Sequence, residues 1–153
     1  MTVFVDASAI VKRYVVEEWG PTVADLGERL VVSDLSAVEV PSAIWRKQRA
    51  GELSSEDASL LVSAFGYDLR GSNFHAPRFA TVELSSGVLD RAADLLARHD
   101  LRAGDAVQLA CAIVARESLE FCDTFVAFDR RLRLAAMSSG FVVSPLESEM
   151  EPT

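Results

Sequence analysis

The stretch "VFVDASA" at residues 3–9 decides how the chain reads. Three apolar residues with a strong preference for strands run into a carboxylate, Asp6, and small residues follow it. A run this short, rich in Val and Phe, predicts a buried strand over 2–5, and the Ser-Ala-Ile that follows predicts a helix. Two roles are open to an acid at such a junction. It can cap the new helix by accepting from the amides that have no partner within it. It can also be the first ligand of a site at the strand's end.

Working outward, the same alternation recurs. After a helix through "SAIVKRYVV", Gly20-Pro21 breaks the chain ahead of a helix over about 22–29. A strand at 30–33 precedes a helix over 37–50 that ends at Gly51, and a further helix spans 55–70, closed by 71–73. "FATVEL" (79–84) alternates like a strand, with its place in the sheet left open. Helices over 86–99 and 104–117, a strand at 124–128, a helix at 130–138 and a last strand at 141–144 complete the pattern. Helices between buried strands predict an α/β fold, a three-layer α/β/α sandwich around a mostly parallel sheet. One domain covers residues 1–146, and 147–153 reads as a frayed tail. "SAVE" (36–39) matches a capping box, so a helix should begin there, and Pro41 in its second turn should bend it or delay its start.

The composition narrows the class. Half of the 153 residues are hydrophobic, which marks a folded globular chain. No apolar run approaches the roughly 20 residues that cross a bilayer, and no signal-like segment opens the chain, so the expected setting is soluble and cytoplasmic, without membrane contact. Cys111 and Cys122 follow no metal-site spacing and are expected to be reduced and structural. The net charge of −8 argues against a protein that coats nucleic acid in general. It does not argue against an enzyme with a local basic rim. Arginines gather in "WRKQR" (45–49) and "DRRLR" (129–133), as a solvated helix face or as phosphate contacts.

In an open parallel sheet, ligands bind beyond the carboxyl ends of the strands. Asp6, Glu39 and Asp129 all fall at predicted strand-to-helix junctions, and Asp105 opens an otherwise apolar helix. Each alone reads as a helix cap or a first-turn acid that favours the helix dipole. Together they would share one crevice, where like charges ~4 Å apart repel by about 4 kcal/mol at an effective dielectric near 20. A hard divalent cation relieves such a cluster, because Mg²⁺ takes oxygen ligands and keeps several waters. No Gly-rich phosphate loop or nucleophile elbow is present, and His75 and His99 stand alone, with surface or helix-end roles expected. Metal-dependent phosphodiester hydrolysis is the simplest chemistry that fits.

The segments "VFVDASAIVKRYVVEEWG", "SAVEVPSAIWRK", "LRAGDAVQLACA" and "FVAFDRRLRLAAMSSGFVVSP" together resemble the PIN-domain family, most closely the VapC-type toxins of bacterial type II toxin–antitoxin pairs. The likeness extends from about residue 2 to residue 146. It implies a Mg²⁺- or Mn²⁺-dependent endoribonuclease, commonly homodimeric and neutralised by a cognate antitoxin. Carried over by position, the catalytic, metal-binding acids are Asp6, Glu39, Asp105 and Asp129, with Ser8 supporting the first. Many relatives have Ser or Thr two residues before the last acid, where this chain has Ala127; Asp123 is a poor substitute for it. Arg13, Arg46, Lys47 and Arg130 are the candidates for steering an RNA backbone. Two other classes stand beside this one: a non-catalytic interaction module whose acids only cap helices, and a receiver-type phosphoacceptor domain. The latter needs a paired acid at the first strand and a lysine near the last, and neither is evident.

Overall fold

The strand at Thr2–Val5 (β1) is buried along its whole length, on both faces. Val3 and Val5 pack to one side and Phe4 to the other. A strand covered on both faces belongs in the middle of a parallel sheet flanked by helices, and β1 is the central strand here. The computed structural model describes residues 1–26 and 29–150.

After β1 come α1 (Ala7–Tyr14), α2 (Gly20–Ala24), β2 (Arg29–Ser33), α3 (Ser36–Arg49), α4 (Ser55–Arg70), β3 (Phe79–Val82), α5 (Ser86–Arg98), α6 (Ala103–Ser118), β4 (Thr124–Val126), α7 (Arg130–Ser138), β5 (Val142–Ser144) and α8 (Glu147–Met150). The strands lie in the order β3-β2-β1-β4-β5, every neighbouring pair parallel. One apolar cluster joins Val3, Val5, Leu30, Val32 and Phe79 to α1, α3 and α4. The other joins Phe4, Val31, Phe125 and Val143 to α5, α6 and α7. Alternate residues of each strand feed opposite clusters, which is the three-layer α/β/α sandwich expected from the sequence.

The chain leaves β1 toward β2 and β3, then returns to build β4 and β5 on β1's other side. Helix α1, which follows β1, packs on one face, and α7, which follows β4, packs on the other. The carboxyl ends of β1 and β4 therefore flank the switch point where a crevice opens.

Several sequence expectations need correction. "FATVEL" yields only a four-residue edge strand beside β2. The helix expected over 22–29 is shorter and earlier, Gly20–Ala24, and residues 27–28 of that expectation lie outside the described part. Residues 147–150 form a helical turn instead of a frayed tail, while 151–153 lie outside the described residues. The capping box is not made. Ser33 Oγ accepts from the Leu35 amide at 3.1 Å, and the Asp34 and Leu35 carbonyls accept from Ala37, Val38 and Glu39. The preceding turn thus satisfies the first amides of α3. Ser36 becomes a buried helical residue instead of a cap, and Glu39 is released for other contacts. Pro41 is carried within α3, which runs on unbroken to Arg49.

Candidate functional site

Asp6 stands immediately beyond β1, and its amide donates to the Val126 carbonyl of β4 at 3.0 Å, so it sits across the switch point. Its Oδ2 accepts from the Ser8 amide at 3.1 Å and from the Ser8 hydroxyl, which makes Asp6 the cap of α1. It also faces a cleft of about 340 Å³ lined by Ser8, Glu39, Arg46, Arg102 and Asp105 among others. The cap role is therefore filled, and the same side chain stands at the cleft beyond the strand's end. Asp6 is only 4% exposed, and burial pushes its carboxyl up to about 7. The Ser8 bonds oppose that rise, and the negative charges of Glu39 and Asp105 add to it.

Glu39 and Asp105 reach the same cleft from α3 and α6. Burial raises both above the usual carboxylate range; Asp105 pushes Glu39 further up, and Asp129 does the same to Asp105. Arg102 pulls Asp105 down in part. Asp129 caps α7, its Oδ1 accepting from the Leu132 amide at 3.0 Å, and it is exposed at the margin of the cleft and not among its lining residues. Three of the four acids singled out in the sequence share the cleft; the fourth acts on Asp105 from beside it.

The basic candidates divide. Arg46 lines the cleft. Arg13 donates to the Ala24 carbonyl at 3.0 Å, and Lys47 sits 3.2 Å from both Glu17 and Glu52, so these two serve the packing of α1, α2 and α3. Arg130 is exposed next to Asp129, outside the lining of the cleft. Two residues escaped the sequence reading. Arg102 lines the cleft, and Gln108, fully buried, donates to Glu39 Oε2 at 2.6 Å. Their signal was positional: in "RAGDAVQ" they lie three residues before and three after Asp105, close to it on a helix.

The Ala127 question also takes a different form. The Ala127 side chain is buried in the apolar cluster under α5–α7, with no opening toward solvent. Its carbonyl accepts from Arg133 Nη1 at 2.8 Å, and Arg133 Nη2 reaches the Pro145 carbonyl at 2.6 Å. The turn that delivers Asp129 is held through its backbone by this buried guanidinium. Asp123, at the opposite end of β4, uses its carbonyl to pair with Val142.

The PIN domain family model matches residues 3–137. The chain belongs to the PIN domain family. Among solved structures, this PIN domain is similar to the crystal structure of FitAcB from Neisseria gonorrhoeae, at 18% identity and a TM-score of 0.61 over 92% of this chain and 95% of that one. It is also similar to a toxin–antitoxin complex from Klebsiella pneumoniae, at 12% identity and a TM-score of 0.51 over 83% and 86%. At these identities the likeness is one of fold. No curated protein matches the sequence.

The acids of this PIN domain suit a hard divalent cation in donor type and in charge: they are oxygen ligands whose burial and mutual repulsion favour neutralisation. Among the described residues, no three acidic, histidine or cysteine side chains are grouped closely enough to share an ion as they stand. Mg²⁺ does not demand that, because it is commonly held by one or two carboxylates with waters completing the shell. The cleft has volume for such waters.

Proposed function

We propose that this PIN domain is a Mg²⁺- or Mn²⁺-dependent endoribonuclease toxin, cytoplasmic and homodimeric, neutralised by a cognate antitoxin. One observation carries the reading: carboxylates from β1's end, α3 and α6 converge on a single cleft at the switch point of the sheet, with Arg46 and Arg102 beside them. The partner is inferred from the family and from the likeness in fold to a toxin–antitoxin complex.

Asp6, Glu39 and Asp105 would hold the ion, with Asp129 contributing directly or through water. When bound, Mg²⁺ or Mn²⁺ polarises a phosphoryl oxygen and eases deprotonation of the attacking water. Ser8 orients the Asp6 carboxylate through its two hydrogen bonds. Arg46 and Arg102, beside the acids in the cleft, bind RNA phosphates, where a planar guanidinium meets two oxygens at once. Because burial raises all three acids above the ordinary carboxylate range, the ion competes with protons for them and loading is tighter at higher pH. Cleavage of a structured RNA by the wild type, its loss with chelator and its loss in Asp6→Asn test the reading together; a chelator-resistant activity would refute it.

A second reading has support in the same site. Asp6 and Asp129 both cap helices, as they would in a non-catalytic interaction module. Mn²⁺ separates the two readings, since only a working acid site raises the melting temperature with metal.

A further inference from the structure

Gln108 has no open surface, yet it spends its amide unusually. Its Nε2 donates to Glu39 Oε2 at 2.6 Å and lies 3.4 Å from Ser36 Oγ, so one group on α6 holds two on α3. Its Oε1 is buried with no hydrogen-bond partner among the described residues. Turning the amide over would set a carbonyl oxygen against a carboxylate, so Glu39 fixes its orientation. A buried carbonyl left unpaired works against stability and calls for an explanation. One turn earlier, Gly104 supplies a second peculiarity. A Cβ there would stand 2.6 Å from Glu39 Oε1. The residue is the second of α6, where ordering a glycine costs more backbone entropy than ordering Ala. Its missing side chain is therefore accounted for by the carboxylate that occupies the space.

We infer that Gly104 and Gln108 are positioning residues that form a cradle on α6 for the Glu39 carboxylate, one taking Oε1 against a bare Cα and the other fixing Oε2 with a buried amide. The inference deepens the metal reading of the cleft and rests on it. Asp105 lies between the two on the same helix, so the cradle sets the relation between two of the acids. Without it, the Glu39 side chain is free to rotate among conformers of which only some face the ion.

The test is Mn²⁺ binding by titration calorimetry at fixed pH, with the melting temperature of each metal-free variant beside it. Gln108→Met keeps the volume and removes the amide; it should weaken Mn²⁺ about tenfold or more, the range found when a residue that orients a metal ligand is lost. Gly104→Ala should weaken it similarly while the melting temperature holds or rises, a combination that a merely structural role would not produce. In a Glu39→Gln background, Gln108→Met should have no further effect on Mn²⁺, because its route to the metal is gone. Unchanged or tighter binding in Gln108→Met or Gly104→Ala, or an equal loss from Gln108→Met in both backgrounds, overturns the inference. Wild-type Mn²⁺ affinity in Glu39→Gln would overturn the metal reading itself, and the cradle's role with it. Loss in Glu39→Gln without loss in Gln108→Met overturns the cradle alone.

Discussion

Replacing Asp6 by Asn should make the metal-free protein more stable at alkaline pH while removing the function of the site. The carboxyl of Asp6 has an ordinary value of 3.8 and is pushed up to about 7 in the fold, mainly by burial. Between those values the unfolded chain has lost this proton and the folded chain still holds it. Stability therefore falls as pH rises through the window and is lowest, as far as this group is concerned, above pH 7. At about 1.4 kcal/mol per pH unit, the folded state gives up about 4 kcal/mol across the window. Asn resembles the protonated acid, still offers an oxygen to the Ser8 amide as a good cap, and does not titrate. Wild type and Asp6→Asn should accordingly melt at similar temperatures near pH 4. They should separate progressively to roughly 10 °C in favour of the variant by pH 8 in chelator, taking ~2–4 °C per kcal/mol for a chain of this length. Adding Mn²⁺ should close most of that gap, since the wild type gains about 2.7 kcal/mol at a hundred times the dissociation constant and the variant gains little. Thermal melts of both proteins over pH 4–8, with chelator and with Mn²⁺, give the answer. A difference that does not change with pH, or a less stable variant at pH 8 in chelator, would refute the reasoning.

Asp105→Asn should reduce RNA cleavage by more than about 100-fold, beyond the range for residues that only orient a ligand, as measured on a labelled RNA under single-turnover conditions. Arg46→Ala and Arg102→Ala should raise KM for RNA more than they lower kcat, and weaken RNA binding less at high salt than at low salt. Arg13→Ala and Lys47→Ala should leave KM unchanged, because those side chains are engaged with Ala24 and with Glu17 and Glu52. Arg133→Met should cost about 3 kcal/mol in urea unfolding, since it strips two buried carbonyls, of Ala127 and Pro145, of a charged donor.

The layers of the fold were legible because the strands are short, apolar and separated by amphipathic helices, so periodicity alone placed them. The edge strand β3 was ambiguous for a physical reason: it is as apolar in sequence as β1, yet at the sheet's edge only Phe79 is fully buried, and an edge position is not written in a strand's own residues. The capping box misled because Ser36 and Glu39 have the right types and spacing, but the Ser33–Leu35 turn reached the free amides of α3 first. That a motif is made or unmade by its neighbours' backbone is not visible in four letters. The cleft acids could be read because junctions of a parallel sheet gather at one edge. Arg102 and Gln108 were not, because an arginine just ahead of a helix and a glutamine within an apolar one acquire meaning only once Asp105 and Glu39 are known to share the cleft. Nearness in sequence to an acid did not decide among the arginines, since Arg102, three residues from Asp105, lines the cleft and Arg130, beside Asp129, does not; Arg13 differs from Arg46 in that the Ala24 carbonyl has claimed its guanidinium.

The central claim is that the acids of the cleft act together through a divalent cation on RNA. Its most direct test is cleavage of a structured RNA by purified protein, with Mn²⁺ titrated from zero, for wild type, Asp6→Asn and Glu39→Gln in parallel. Cleavage that rises with Mn²⁺ in the wild type, stops with chelator and is lost in both variants is the predicted result. Equal cleavage by all three proteins, or cleavage indifferent to Mn²⁺, would contradict it.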